Sequence, residues 1–276
     1  MLLGVVQGLT EFLPVSSTAH LYLAQALLGI ANDEIALSFD IVLHLGTAAA
    51  LILATWRELR AIASELLLLA AGRPTRNPEA RAVLLPIFVG TIPGVLAGLF
   101  LLKRFESART PALIGLAMLA ACAFFFLAEG IAQRRHAPDR ELSSLDALDG
   151  VWIGIAQAMA GLLAGLSRSG FTISTGRLRG FRREDAARFS FLLALPIILG
   201  AGTKALLDLR GHGSASVGAL TLAGGFAASA ASGYLAVGYL LRFLKKRSLR
   251  PFAVYLGLLG LALVIWSLAH ELPVLG

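Results

Sequence analysis

The sequence predicts an all-α polytopic membrane protein, built as an inverted-topology repeat of about six transmembrane helices plus two re-entrant helical hairpins. Three observations lead to this prediction. The chain of 276 residues is 57% hydrophobic and only 15% charged, with a mean hydropathy of +0.77. Several apolar runs approach the roughly 20 residues that a helix needs to cross hydrocarbon. The basic residues are concentrated in the short connectors between those runs.

Six apolar segments are predicted to cross the membrane. They are residues 40–56, 82–102, 110–133, 188–208, 216–241 and 252–270. Segment 60–72 is shorter and is flanked by arginines, so we expect an interfacial helix there rather than another crossing. The whole chain, residues 1–276, would then form a single integral membrane domain.

The basic connectors predict orientation, because Lys and Arg are enriched in cytoplasmic loops. All the larger basic clusters can face the cytoplasm if the spans alternate around them. These clusters run from Arg57 to Arg81, from Arg134 to Arg140, from Arg177 to Arg188 and from Arg242 to Arg250. Three basic residues would then lie on the outer side, against the rule: Lys103, Arg104 and Arg109.

Segments 1–30 and 151–176 fit poorly as crossing helices. The second lies between two basic clusters that both belong in the cytoplasm, so it should enter the membrane and return. The first precedes an outer connector and contains Pro14 among polar residues, so a hairpin from the outer face is expected. The chain then divides into inverted halves, about 1–135 and 150–276. The hairpin tips should meet inside the protein, where irregular backbone is tolerated at membrane depth.

The first predicted tip, in "GLTEFLPVSSTAHL", contains a carboxylate, a run of hydroxyls and an imidazole. Glu11 indicates a functional site, because a carboxylate at bilayer depth is costly unless it is paired, hydrated or metal-bound. The alternative is a solvated residue on an interfacial helix. The hydroxyl run predicts the N-terminus of the returning helix, where free amides also favour anions. Its members are Ser16, Ser17 and Thr18, and His20 follows.

The second predicted tip, "AGLSRSGFTISTGRLRG", supplies one guanidinium among hydroxyls and glycines. Arg168 is its key residue, because a planar cation with several donors matches a phosphate or carboxylate far better than it matches lipid. The alternative is a structural ion pair with Glu11 or a bond to a helix C-terminal carbonyl. The glycines permit close backbone approach, so the loop is similar to a phosphate cradle.

Together these groups favour hydrolysis or transfer at a phosphoryl centre. Serine or histidine can attack phosphorus, and arginine can neutralise charge on the phosphate oxygens. A carboxylate can hold a divalent cation, and Mg or Ca suits oxygen ligands. Glu11 and Gln7 are the expected metal ligands, with phosphate oxygens and water completing the shell.

Two segments, "GVVQGLTEFLPVSSTAHL" and "GLSRSGFTISTGRLRGF", resemble the signature regions of the bacterial undecaprenyl-diphosphate phosphatases of the bacitracin-resistance type. The intervening "FDIVLHLGTAAALI" and "GTIPGVLAGLF" are similar to the same family, so the resemblance runs essentially end to end. It implies an enzyme of the bacterial cytoplasmic (inner) membrane that releases the terminal phosphate of undecaprenyl diphosphate, recycling the lipid carrier of peptidoglycan synthesis. It also implies the inverted repeat with two re-entrant hairpins.

Carried over by position, the resemblance implies that Glu11 is the catalytic or metal-associated acid and that Arg168 clamps the phosphate. Ser17 and His20 are alternatives for the nucleophile, and we favour Ser17 with His20 as general acid and base. Six positions are expected to contact phosphate: Ser16, Thr18, Ser167, Ser169, Gly170 and Thr172. Gln7 stands where some relatives have glutamate. The chain also starts almost at the first motif, with fewer leading apolar residues than the resemblance implies.

A transporter or flippase for polyprenyl phosphate is the main competing interpretation, because inverted repeats with broken helices are typical of secondary transporters. The enzyme is favoured, since transport requires binding but no general acid. The formal net charge of +7 does not indicate a nucleic-acid partner, because the basic residues lack interleaved aromatic residues. They are expected to contact membrane lipids instead.

Two further patterns concern packing. Asp40 and His44 are four residues apart and share a helical face, and we expect a structural pair rather than a catalytic one. Glycines recur every four residues at Gly90, Gly94 and Gly98, which permits close helix packing. That packing is expected within the monomer, and a homodimer interface is the alternative.

Overall fold

A computed structural model describes residues 1–30, 34–101, 110–135, 137–211 and 218–271. The regular structure of this part of the chain is helical, with no β-strand. Its helices are α1 (Leu2–Phe12), α2 (Ser17–Leu27), α3 (Glu34–Ala54), α4 (Trp56–Ala70), α5 (Pro78–Phe100), α6 (Pro111–Gln133), a 3-10 turn (Leu142–Ser144), α7 (Ala147–Leu162), α8 (Arg168–Leu178), α9 (Arg183–Gly211), α10 (Ala219–Leu244) and α11 (Arg250–Glu271).

The predicted transmembrane helices are present. Five helices are long and apolar enough to cross a membrane, namely α5, α6, α9, α10 and α11. The remaining predicted span falls on α3, which is bent by 76° relative to α4, and the two helices pass the same test as a pair. A turn of this size is what the predicted interfacial position of α4 requires. The protein is therefore a multi-pass helical membrane protein.

Two helical hairpins, α1–α2 and α7–α8, occupy the predicted re-entrant positions. Three of their helices have 11 residues and the fourth has 16. A helix of 11 residues extends only about 16 Å, roughly half of the hydrocarbon thickness. The hairpin tips touch, because the hydroxyl of Ser169 donates to the carbonyl of Leu13 at 3.1 Å.

The hairpins approach this meeting point from opposite sides. The second one returns to its starting side, since Arg179, directly after α8, donates to Asp149 in the first turn of α7 at 2.6 Å. That side also contains the end of α10, where Lys245 pairs with Glu184 of α9 at 3.1 Å. The first hairpin begins at the other end of α10, where Met1 lies beside Gly224.

The basic clusters lie together on one face of the molecule. Ion pairs connect the first turns of α9 to α5, α6 and the end of α10: Arg188–Glu79 at 2.6 Å, Arg183–Glu129 at 2.6 Å and Lys245–Glu184 at 3.1 Å. This arrangement is what a common cytoplasmic face would require, and the orientation itself stays a prediction. The three exceptional basic residues, Lys103, Arg104 and Arg109, lie outside the described residues.

Small residues bring each hairpin close to a spanning helix. A Cβ atom on Gly8 of α1 would lie 2.4 Å from the carbonyl oxygen of Ser229 in α10. A Cβ atom on Gly154 of α7 would lie 2.3 Å from the carbonyl oxygen of Gly90 in α5. Both first arms therefore pack on a spanning helix by the same means. The division into halves at about 1–135 and 150–276 stays a prediction.

The glycine repeat of α5 is used inside the monomer at two of its positions. Gly90 contacts the second hairpin, and a Cβ atom on Gly94 would lie 2.9 Å from the side chain of Ile197. A Cβ atom on Gly98 would have no atom of the described residues within 4 Å. The expected packing within the monomer is therefore present at Gly90 and Gly94, and a homodimer stays a prediction.

Candidate active site

Glu11 lies where the two hairpin tips meet, and its side chain is only 6% exposed. Its Oε1 accepts a hydrogen bond from Nη2 of Arg168 at 2.7 Å, across 157 positions of sequence. Its Oε2 accepts from the hydroxyl of Ser17 at 2.7 Å and from Nε2 of Gln7 at 3.0 Å. The structure thus brings together the acid, the arginine and the hydroxyl that the sequence singled out.

These partners compensate for the burial of the carboxylate. A buried charge is costly unless it is paired and hydrogen-bonded, and Glu11 has one cation and two neutral donors. Arg168 is 17% exposed and uses only Nη2 in its bonds to the described residues. A guanidinium has five N–H donors, so the others are available to an anion. The ion pair with Glu11 therefore occupies only part of the guanidinium.

The turns before α2 and α8 have the same strained conformation. Ser16 has φ 69° and ψ 90°, and Ser167 has φ 61° and ψ 96°. They are the non-glycine residues with positive φ in the described part of the chain, and such conformations cost about 1–3 kcal/mol and concentrate at functional sites. Each serine is the N-cap residue of the helix that follows.

The helix starts differ in their capping. Ser167 Oγ accepts from the amide of Gly170 at a long 3.4 Å, whereas the side chain of Ser16 makes no such bond. The opening amides of α2 belong to Ser17, Thr18 and Ala19, and the first amides of a helix have no intrahelical partner. Thr18 itself is exposed. The start of α2 therefore combines uncapped amides with the positive end of the helix dipole, which favours an anion.

His20 is held through both ring nitrogens. Its Nδ1 lies 2.9 Å from the carbonyl oxygen of Ser16, and a carbonyl can only accept, so Nδ1 carries the proton. Its Nε2 lies 2.6 Å from the hydroxyl of Tyr255 on α11. Sequence reasoning missed Tyr255, because it lies 235 positions away in an apolar segment without a polar motif.

His44 is a second neighbour of the carboxylate that the sequence assigned only to packing. Its Nδ1 bonds to the main-chain carbonyl of Asp40 at 2.8 Å, and its Nε2 lies 4.0 Å from Oε2 of Glu11. The carboxylate of Asp40 accepts from Nε2 of Gln25 at 2.9 Å. The expected contact between Asp40 and His44 is present, but the ring also faces the site. The available signal was a histidine inside an apolar span.

Three of the residues predicted to contact phosphate have other contacts in the structure. Thr172 is fully buried, and its hydroxyl donates to the carbonyl of Arg168 at 2.8 Å beside Ser190. Ser169 binds the first tip, as described above. A Cβ atom on Gly170 would lie 2.0 Å from the ring of Phe125, so only glycine fits there. This geometry gives these residues packing roles, and their phosphate contacts stay predictions.

Two groups fit the expected divalent cation. The Oε1 atom of Gln7 is buried and has no hydrogen-bond partner among the described residues, and it belongs to the amide that binds Glu11. Amide and carboxylate oxygens are suitable ligands for Mg²⁺ and Ca²⁺. The described residues contain no group of three His, Cys, Asp or Glu side chains that could hold a metal. Phosphate oxygens and water would therefore have to complete the shell.

The fold and the site together define a class: a polytopic helical membrane protein in which two hairpin tips bring a buried acid, an arginine and a hydroxyl together. Comparison with known proteins identifies the family. The chain matches the family described as bacitracin resistance protein BacA over residues 1–262, and it belongs to that family.

Similar proteins cover nearly the whole chain. A protein of Rubrobacter xylanophilus is 42% identical over 92% of this chain and 92% of its own length. A protein of Geobacter sulfurreducens is 40% identical over 97% of both chains. A protein of Mycobacterium avium is 39% identical over 96% of this chain and 95% of its own. Each of these relatives is named undecaprenyl-diphosphatase.

Proposed function

We propose that this protein hydrolyses undecaprenyl diphosphate to undecaprenyl phosphate and inorganic phosphate in the bacterial cytoplasmic membrane, which recycles the lipid carrier of peptidoglycan synthesis. The name shared by its relatives supports this substrate. The observation that carries the proposal is the buried carboxylate of Glu11, which binds Arg168 of the opposite hairpin and Ser17 of its own. The nucleophile and the phosphate-binding cation thus share one carboxylate, which also acts as the base.

Ser17 is the nucleophile in this proposal. Its hydroxyl donates to Glu11 at 2.7 Å, so the carboxylate takes the proton as Oγ attacks the terminal phosphorus. The bond from that phosphorus to the bridging oxygen breaks, and undecaprenyl phosphate leaves. Water then hydrolyses the phosphoserine and releases inorganic phosphate. The preference for Ser17 is thus retained, but its contact is Glu11 rather than His20.

Arg168 and the start of α2 stabilise the transferring phosphoryl group. The guanidinium donors that Glu11 does not use are available to the phosphate oxygens, where charge develops in the transition state. The uncapped amides of α2 add fixed donors next to the nucleophile. Positive groups from both hairpins therefore converge on one phosphoryl group.

His20 serves the second step. With the proton on Nδ1, a neutral imidazole has its lone pair on Nε2 and is a base. It accepts a proton from the water that attacks the phosphoserine. A divalent cation, Mg²⁺ or Ca²⁺, forms part of the proposal, with Glu11 and Gln7 as its protein ligands. When bound, it supplies charge neutralisation at the diphosphate.

The test is phosphate release from a long-chain prenyl diphosphate by the purified protein in detergent, with and without a chelator. We expect turnover by the wild type, loss of turnover in Arg168→Ala, and restoration of chelated enzyme by Mg²⁺ or Ca²⁺. An inactive wild type that binds polyprenyl phosphate tightly would contradict the proposal and support transport. The transporter is not favoured, because the bond between Ser17 and Glu11 is a nucleophile–base contact that transport does not need.

A further inference from the structure

Tyr255 connects α11 to the imidazole of the site, and neither the motifs nor the proposed reaction accounts for it. Its hydroxyl lies 2.6 Å from Nε2 of His20. We propose that Tyr255 relays the proton of the second step: its O–H donates to Nε2 of His20, and as that proton passes to Nε2 the phenol oxygen takes the proton of the attacking water. This inference rests on the proposed function, since it assigns Tyr255 to the base of the second step.

The direction of the bond follows from the other nitrogen of the ring. The carbonyl of Ser16 lies 2.9 Å from Nδ1 and accepts also from the main-chain amide of His20 at 3.2 Å. The positive φ of Ser16 is part of the turn that places this carbonyl. Nδ1 must therefore be the protonated nitrogen, and a neutral ring has only a lone pair at Nε2. The phenol is then the donor in the second bond.

The position of Tyr255 is set by packing rather than by a loop. Ala19 of α2 lies in one apolar cluster with Ala253 and Leu256 of α11, on either side of Tyr255 in sequence. The two rings lie nearly parallel, 15° apart, with centroids separated by 5.6 Å. The phenol is 43% exposed, so it stands at the rim of the buried site. The packing of α2 on α11 thus holds the ring of Tyr255 and its hydrogen bond to His20 in place before substrate binds.

Because the phenol already donates to the single lone pair of Nε2, water reaches this base through the phenol, and proton transfer by positioned side chains typically contributes about 10²- to 10⁴-fold. Tyr255→Phe removes the hydroxyl and keeps the ring. Water can then donate to Nε2 directly but is held less well. We therefore expect kcat for phosphate release to fall about tenfold, with KM changed less than about twofold because the phenol contacts the attacking water and not the lipid diphosphate. Loss of packing alone would not separate the two constants in this way.

Tyr239→Phe is the matched control. Tyr239 lies on α10, is 49% exposed and contacts the ring of Phe243 with centroids 5.8 Å apart. The same atom is deleted at a similar exposure but away from His20. We expect wild-type kcat in this variant. Equal losses of kcat in both variants, or an unchanged kcat in Tyr255→Phe, would overturn the proposal.

A second measurement is independent of turnover. Nitrogen-15 NMR of the histidine-labelled protein separates the two ring tautomers, and His20→Gln assigns the signals. We expect the Nε2 resonance of His20 to shift in Tyr255→Phe and to stay in place in Tyr239→Phe. An unshifted resonance refutes the hydrogen bond even where the rate falls. A wild type that releases no phosphate would instead overturn the proposed function, while the resonance still decides the bond.

Discussion

The two hairpins have a similar backbone conformation, but one tip carries an acid and the other a basic residue, Arg168. In each, a buried glutamine lies in the first arm, Gln7 or Gln157, and its amide oxygen has no hydrogen-bond partner among the described residues. In each, a serine with positive φ precedes a second helix of 11 residues. Four residues after Gln7 stands Glu11, whereas four residues after Gln157 stands Gly161.

This difference shows why the site needs both hairpins. Two facing carboxylates at this depth would repel each other, and neither could be ionised cheaply. With the acid on one tip and Arg168 on the other, each buried charge offsets the burial of its partner. The backbone shared by the two hairpins therefore supplies the place, and the difference between their tips supplies the charge pair.

The largest expected effect on kcat comes from removing a hydroxyl at the first hairpin tip, and removing one from the second hairpin is its control. Ser17→Ala should lower kcat by about 10⁴-fold or more, because it removes the proposed nucleophile. Ser174→Ala deletes the same atom from α8, where the buried hydroxyl has no partner among the described residues, so kcat should stay within about twofold of wild type. Phosphate release measures both. Residual activity above a hundredth in Ser17→Ala would point to another nucleophile, with His20 first in line.

The next effect concerns the cation of the second tip. Arg168→Ala should lower kcat by about 10³-fold, since it removes the donors to the transferring phosphoryl group. Arg179→Ala is its control, because it removes a guanidinium from the base of the same hairpin, where Asp149 keeps its bond to Arg140. That variant should lose thermal stability and keep most of its turnover. Similar values of kcat in the two variants would show that Arg168 does not stabilise the transferring phosphoryl group.

The shared packing predicts equal steric intolerance of the two hairpins. Gly8→Ala and Gly154→Ala should each lower the free energy of unfolding by about 1–3 kcal/mol or more, because the new methyl group meets the neighbouring backbone. Gly161→Ala meets no atom of the described part of the chain within 4 Å, so it should be neutral or stabilising by up to about 1 kcal/mol. Unfolding in mild detergent measures these differences. A tolerant Gly8 beside an intolerant Gly154 would break the structural equivalence of the hairpins.

The smallest effect is expected at the base of the second hairpin, where Asp146 caps α7 in a reciprocal pair with Asp149. The amide of Asp149 donates to Asp146 and lowers the pKa of that carboxylate, together with the charge of Arg140. A lowered folded-state pKa contributes stability above the unfolded pKa of about 4, and that stability is lost as pH falls through the folded value.

Asp146→Asn should therefore match wild type in cap strength and differ in pH response. Asparagine also caps helices, so the unfolding midpoint at pH 7 should change by less than the equivalent of about 1 kcal/mol. The wild type should lose its small advantage only below about pH 4. A difference that instead develops between pH 5 and pH 7 would show that another group titrates in this cap.

The charged members of the site were predictable, because the free-energy cost of burying a charged side chain depends on its own short segment. A carboxylate or a guanidinium in an apolar chain needs a partner wherever it lies, so Glu11 and Arg168 indicated each other before any coordinates. The same reasoning did not foresee the bonds of Thr172 to Arg168 and Ser190, because its hydroxyl looks identical in sequence to the other hydroxyls of the tip, and its phosphate contact stays a prediction. It also undervalued His44, since the spacing from Asp40 indicates a shared helical face but not what that face meets.

The sequence by itself determined the class of fold, the places of the spans, the two hairpins and the acidic and basic members of the site. These features follow from the length of the apolar runs, from the basic residues in the connectors and from the free-energy cost of burying a charge. All three are properties of short segments. Only the tertiary structure decided that Ser17 donates to Glu11, that Tyr255 reaches His20 and that Gly170 packs on Phe125. Such contacts depend on how helices from distant parts of the chain pack, to within an ångström, and no local pattern encodes that distance.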